Sequence, residues 1–379
     1  MDSAALIVRE KEPLNVESPA CVLDSFLTPN DLFFIRNHFP IPRLNPESYR
    51  LRVDGAVADP LRISYEELRA MPSRTSTVTL ECAGNGRSFL QPRKSGVPWE
   101  LGAIGTAEWT GVPLAHLLRR AGVDDGAVAV FVEGADRGEP TNDPKPDGEI
   151  AFARTLPIEK AQEPDVLLAY RMNARDLTPE HGFPVRAIVP GYYGMASVKW
   201  ITHIEVLREW PRGYWETSEY SYWDAAEGRP IVRPLDKIRV KSAIVRPRMH
   251  EIVRPNMGYR VTGAAWSGTS EIAKVELSVD GGETWNVARL LDASRRYAWR
   301  RWEYEWRTPA QSRMCVLLSR ARDSTGATQP DHHDANYGSY AINYTLPVEV
   351  FVRSSMRSSG IRTESISGRV ENLVGETLL

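Results

Sequence analysis

Short apolar runs with period-two alternation dominate the chain. "TVTLE", "VAVFVEG", "VLLAYRM", "FPVRAIVP" and "VKWITHIEVL" are rich in β-branched residues and bounded by Gly, Pro or Asn, which predicts strands. Two segments carry helical signals. "ISYEELRAM" places Ser64 three residues before Glu67, a capping box that opens a short helix. "VPLAHLLRRAG" predicts a helix ending at Gly122. There is no regular strand–helix alternation, so a doubly wound sheet is excluded and an α+β, mainly β fold is expected. Residues 1–35 read as an extended, Pro-punctuated arm.

The texture changes near residues 228–255, which are rich in Pro and Arg. Beyond them "YRVTGAAW", "AKVELSVD", "WNVARLL", "RRWEYEW", "MCVLLSRARD" and "VEVFV" follow at near-even spacing, and "SVDGGETW" is a hairpin turn signal. Short strands with regular turns predict a β-sandwich. Residues 353–379 are polar and weakly patterned and are expected to form a poorly ordered tail.

Composition changes this picture little. The chain has 379 residues, enough for two domains, and 47 Lys plus Arg against 49 Asp plus Glu. That balance gives no case for nucleic acid or a membrane surface. Three cysteines, Cys21, Cys82 and Cys315, do not make a disulfide framework. "MDSAALIVREKEP" turns charged before any apolar stretch long enough for a signal-peptide core, so a reducing, cytoplasmic setting is expected.

The stretch "TLECAGNGRSFL" raises the first chemical question. Cys82 ends a strand, a tight turn follows, and Arg87 comes five residues later. A thiolate is stabilised by nearby positive charge, and small neighbours leave room beside the sulfur. The competing reading is a buried core cysteine beside a hairpin turn. "FFIRNHFPIP" puts Arg36 and His38 on one side of an extended segment. "HGFPVRAIVPGYYGMASVKW" gathers His181, Arg186 and Lys199 among glycines that let a backbone approach a ligand, a pattern suited to a phosphate or other anion. "GYWETSEYSYWD" offers tyrosine hydroxyls, although aromatic clusters mostly build cores. "DHHD", residues 331–334, reads as an exposed loop rather than a metal patch. There is no P-loop, no zinc-type CxxC pair and nothing that announces a haem.

Taken in order, "FFIRNHFPIP", "LECAGNGR", "HGFPVRAIVPG", "SVKW", "GAAWSG" and "VELSVDGGETW" resemble the sulfite oxidase family of molybdenum enzymes, through nearly the whole chain to about residue 352. The resemblance implies a molybdopterin-binding catalytic domain over residues 1–236 and an immunoglobulin-like dimerisation domain over 237–352. It implies that Cys82 binds molybdenum. His38, Asp136, His181, Arg186, Ser197 and Lys199 would hold the pyranopterin and its phosphate. Arg36, Arg87, Trp99 and Tyr220 would line the substrate pocket, with Trp99 requiring a two-residue shortening after the cysteine motif. A thiolate suits a soft, high-valent metal, and arginines suit a small oxyanion.

The implied activity is oxidation of sulfite or a related sulfur oxyanion by oxygen-atom transfer. Electrons would pass to an external acceptor such as a cytochrome, and the chain would form a homodimer. The alternatives are a sulfane dehydrogenase or an oxyanion reductase of the same fold, or a non-catalytic interaction module. One departure stands out. The family's animal and plant enzymes carry a pocket arginine near the end of the second domain, where this chain reads "DANYGSYAIN".

Overall fold

The computed structural model describes residues 5–353 apart from 212, 225–227 and 229. The tail expectation falls outside the described residues. The N-terminal arm is not simply extended. Ile7–Glu10 pairs with Asn15–Glu17 as a two-stranded ribbon, and Val16 bridges to Ile35.

Two five-stranded sheets build the first domain. One runs Arg175–Asp176, Leu167–Met172, Ile104–Pro113, Arg74–Glu81, with Arg186–Ile188 also on Leu167–Met172. The other runs Leu61–Ser64, Arg50–Gly55, Ile201–Leu207, Ala129–Gly138, Ile150–Pro157. The capping box forms as expected: Ser64 Oγ accepts from the Glu67 amide at 3.1 Å and Glu67 accepts from the Ser64 amide at 2.7 Å. The helix Leu114–Ala121 stops at Gly122, whose φ of 67° is the left-handed cap that glycine takes without strain. Its Leu114, Leu117 and Leu118 lie on the core cluster with Leu51, Val53, Val130 and Ile204.

Ser221–Asp224 and Ile231–Pro234 form a small ribbon, after which the second domain begins. It is a sandwich. Lys241–Arg246, Gly258–Trp266, Arg300–Arg307 and Arg289–Leu290 form one sheet. Ile252–Val253, Val348–Val352, Arg313–Asp323, Ile272–Ser278 and Asn286–Val287 form the other. The alternation in "MCVLLSRARD" is real, with Cys315, Leu317 and Ala321 facing the sandwich core. "WNVARLL" is not one strand. Asn286–Val287 pairs in one sheet and Arg289–Leu290 in the other, and Ala288 between them is buried and donates its amide to Val275. Each named sheet is confined to one side of residues 235–240. His332 and Asp334 of "DHHD" are exposed, and among the described residues no group of three His, Cys, Asp or Glu could hold a metal. Among the described residues no helix is long and apolar enough to cross a membrane.

Candidate active site

The strand Arg74–Glu81 delivers Cys82 to its end, where Val78 and Leu80 are buried in the same apolar cluster. The turn then closes: the Asn85 amide donates to the Cys82 carbonyl at 2.9 Å and the Arg87 amide to Gly84 at 3.0 Å. Gly86 has a φ of 101°, a region L side chains avoid. The glycine at 84 has a different reason. A Cβ there would lie 2.5 Å from Cζ of Arg87, and one at Gly96 would lie 2.8 Å from its Nη1. The guanidinium therefore lies between two glycines. It donates to the carbonyls of Ser339 at 3.1 Å and Val97 at 2.9 Å and lies over the Tyr340 ring.

Cys82 is 8% exposed and borders two clefts that share it with Arg36, His38 and Tyr220. The inner cleft encloses about 690 Å³ out to its mouth and is also lined by Asp136, His181, Arg186, Ser197 and Lys199. Arg186 donates to the carbonyls of His181 and Ser197, both at 3.1 Å. Burial pulls it down to about 9, which leaves it cationic at neutral pH. Lys199 donates to the Glu180 carbonyl at 2.9 Å and to Asn37 Oδ1. Burial first, and Arg186 next, press its ammonium well below the usual lysine range. Gly182 has a φ of 100°, and a Cβ on it would sit 3.0 Å from that of Arg186 and 3.1 Å from that of Lys199. His181 is brought down to about 4 by burial, then by Arg186, so its ring is neutral. Asp136 is pushed up to about 7 by burial, against the pull of Lys199, and its Oδ1 has no hydrogen-bond partner. Gly134 makes room for it, since a Cβ there would lie 2.6 Å from Oδ1.

Burial, then Arg36, also keeps His38 neutral. Its Nε2 and the Tyr220 hydroxyl are hydrogen-bonded at 2.7 Å, and its ring stacks on Phe152. Arg36 is held above the ordinary arginine value even though burial, the largest influence, opposes its charge. Tyr220, Cys82, Tyr340 and Glu10 outweigh that effect.

A pterin phosphate with molybdenum fits these residues. Among the described residues neither Arg186 nor Lys199 has a carboxylate within ion-pair distance. Unpaired buried cations are costly, and a bound phosphate offsets that cost. The orphaned Asp136 oxygen is an acceptor for ring N–H groups, which a pterin supplies. Cys82 presents a soft sulfur at the junction of the two clefts.

The outer cleft encloses about 1160 Å³ out to solvent and is lined by Arg36, Arg87 and Tyr220, three of the residues the resemblance assigns to the substrate pocket. Trp99 is a correction. It lines neither cleft and is fully buried in the apolar cluster beside Cys82, where its indole N–H has no partner. Sequence reasoning missed five residues that do line the outer cleft: Glu10, Glu12, Glu139, Glu219 and Tyr340. They come from four separate segments, and only Glu219 lies beside a residue the motifs single out.

Comparison with known proteins is consistent with this arrangement. The model of the oxidoreductase molybdopterin binding domain matches residues 38–215, and that of the Mo-co oxidoreductase dimerisation domain matches 233–350. The chain is 40% identical to the sulfite oxidase of Gallus gallus over 347 residues, 86% of this chain and 73% of that one. It belongs to the sulfite oxidase family. It is also 33% identical to the sulfite oxidase of Arabidopsis thaliana over 360 residues, 86% of this chain and 88% of that one. Against the mitochondrial sulfite oxidase of Homo sapiens it is 36% identical and spans 62% of that protein. The sulfane dehydrogenase SoxCD from Paracoccus pantotrophus superposes with a TM-score of 0.77 at 29% identity, covering 90% of this chain and 85% of that one. As a member of this family the chain is a molybdenum oxidoreductase with a molybdopterin cofactor, and its second domain is the family's dimerisation domain. Light scattering is therefore expected to give a mass near twice the chain's 42.6 kDa, and a monomer at every micromolar concentration tried would contradict it.

Proposed function

We propose that the protein oxidises sulfite to sulfate: sulfite, taken up as hydrogensulfite, and water yield sulfate, three protons and two electrons, and an external acceptor such as a cytochrome takes the electrons. The observation that carries this reading is the meeting of two clefts at Cys82. The inner one is built for a phosphate-bearing ring system, and the outer one brings the guanidiniums of Arg36 and Arg87 and the Tyr220 hydroxyl beside Cys82. Cys82 would hold the cofactor's molybdenum, which would supply two-electron oxygen-atom transfer.

The chain's own residues do the rest. Arg186, Lys199, His181 and Ser197 hold the phosphate end, and Asp136 receives the ring N–H groups. Arg36, shared by both clefts and close to Cys82, orients the oxyanion. The Tyr220 hydroxyl is hydrogen-bonded to neutral His38, and burial, its largest influence, keeps that hydroxyl protonated, so it can donate to a substrate oxygen as charge develops there. The walls formed by Phe34, Phe152 and Trp200 exclude water from the metal side. A sulfane dehydrogenase is the second reading, favoured by the SoxCD likeness.

Protein purified from a host that makes the cofactor is expected to contain one molybdenum per chain and to turn over sulfite. Arg36→Gln is expected to raise KM for sulfite about ten- to a hundredfold, the loss of one charge-assisted hydrogen bond. Tyr220→Phe is expected to act on kcat, since it removes transition-state stabilisation without removing a charge. Steady-state kinetics on molybdenum-loaded enzyme at fixed ionic strength checks both. Brisk sulfite oxidation with KM unchanged in Arg36→Gln would exclude Arg36 from the pocket.

A further inference from the structure

Among the described residues, the outer cleft carries more negative than positive side chains. Its walls hold the carboxylates Glu10, Glu12, Glu139 and Glu219 and the guanidiniums of Arg36 and Arg87. His38 at the same wall is neutral, because burial, then Arg36, holds it far below its usual value. Each guanidinium already has partners in the wall. Arg87 has Nε and Nη1 committed to the carbonyls of Ser339 and Val97, with a face against Tyr340. Nη1 of Arg36 donates to the Asn37 carbonyl and, at 3.4 Å, to Asn15 Oδ1.

Glu219 is the best fixed of the four acids. Its Oε1 accepts from the Tyr340 hydroxyl at 2.8 Å, and its Oε2 from Asn142 Nδ2 at 2.7 Å and from the Tyr214 hydroxyl at 3.2 Å. Tyr340 comes from the second domain, so this part of the wall is complete only when both domains are in place. Its ring lies 5.2 Å from that of Tyr220. Three hydrogen bonds on one carboxylate fix where its oxygens lie.

We infer that Glu219, with Glu139, Glu10 and Glu12 at the rim, selects the charge of what enters the outer cleft, admitting singly charged oxyanions and turning away dianions. The inference rests on the reading of this cleft as the seat of the substrate. It gives the reaction a direction of traffic. Hydrogensulfite enters with one negative charge; with water it yields sulfate, three protons and two electrons for the external acceptor. The product carries two negative charges, and the same carboxylates repel it more strongly than they repelled the substrate.

Sulfate and methanesulfonate test this, because they are close in size and differ by one charge. Calorimetric titration of each into molybdenum-loaded enzyme is expected to show methanesulfonate binding at least as tightly as sulfate. Glu219→Gln removes one negative charge and is expected to tighten sulfate about tenfold. Coulomb energy scales with ligand charge, so the same change should tighten methanesulfonate by only about threefold. Glu139→Gln, at an exposed rim position that the fold does not depend on, should move both in the same direction by less. The inference is overturned if wild type prefers sulfate, or if the two anions respond equally or not at all to both substitutions. No turnover enters this measurement. An enzyme that binds anions as expected but does not oxidise sulfite defeats the proposed function and leaves the charge selection standing.

Discussion

Cys82→Ser is expected to lower turnover by more than about a hundredfold while the protein stays folded and keeps its pterin. A hundredfold is the upper range for losing a mere outer-sphere partner of a metal ligand, and here the ligand itself is changed. Hydroxyl is a hard, weakly acidic donor where the metal wants a soft thiolate. The fold should survive, because the backbone bonds that fix the residue do not involve sulfur. The Cys82 amide donates to Ala103 at 2.9 Å, and its carbonyl accepts from Asn85. Burying a hydroxyl beside Phe34, Leu80 and Val97 costs about 1–3 kcal/mol, which a chain of this size tolerates. The pterin should remain because the inner cleft grips it elsewhere, at Arg186, Lys199, His181 and Asp136. Pterin fluorescence after denaturation, elemental molybdenum and kcat on the same preparation separate these statements. Full turnover in Cys82→Ser would remove the sulfur from the metal's coordination. Loss of pterin with retained circular dichroism would show that the cleft residues do not hold it alone.

What could be read in the sequence depended on how local its cause was. Cys82 and Arg87 are five residues apart, and the turn that joins them is written in the glycines between, so their placement on one cleft followed from the stretch itself. The capping box at Ser64 and the stop at Gly122 are equally local. The strand Ile104–Pro113 was not legible. It contains Gly105, Gly111 and Pro113, which read as turn residues, yet it lies in mid-sheet between Arg74–Glu81 and Leu167–Met172. The glycines answer to packing: a Cβ at Gly105 would lie 2.5 Å from the Phe33 ring. The acidic character of the outer cleft was hidden for a similar reason. Glu10 and Glu12 lie on the N-terminal ribbon, Glu139 after a strand, Glu219 before Tyr220, and Tyr340 in the other domain. Only the tertiary fold brings them together. Trp99 shows the opposite failure, a position carried over by motif alignment that the chain seats behind the wall rather than in it.

Lys241→Met is expected to loosen the joint between the domains and to disturb Cys82 through it. Glu81 and Lys241 are each 2% exposed at the side chain and meet at 3.2 Å, one from the strand that ends at Cys82 and the other from the first strand of the sandwich. Glu81 also accepts from Trp266 Nε1 at 2.8 Å and from Asn85 Nδ2 at 3.0 Å, while Lys241 donates to the Asn85 carbonyl at 2.9 Å. The network thus holds both the strand end and the turn that carries Arg87. Burial presses the Lys241 ammonium below its usual range, with Glu81 opposing, so the pair survives only as a pair. Removing the cation leaves a buried carboxylate uncompensated, at a cost of about 3–5 kcal/mol. For a domain of this size that corresponds to a fall of about 10 °C in Tm. Adding Glu81→Gln to Lys241→Met should restore part of the loss, because the amide oxygen still receives Trp266 and no charge is stranded. Differential scanning calorimetry of the three proteins reads the stability. The molybdenum(V) paramagnetic resonance spectrum of the partially reduced enzyme reads the geometry at the sulfur, which a purely structural role elsewhere would not alter. An unchanged Tm in Lys241→Met would show that the ion pair is not what joins the domains. A lowered Tm with an unchanged spectrum would show that the joint does not reach Cys82.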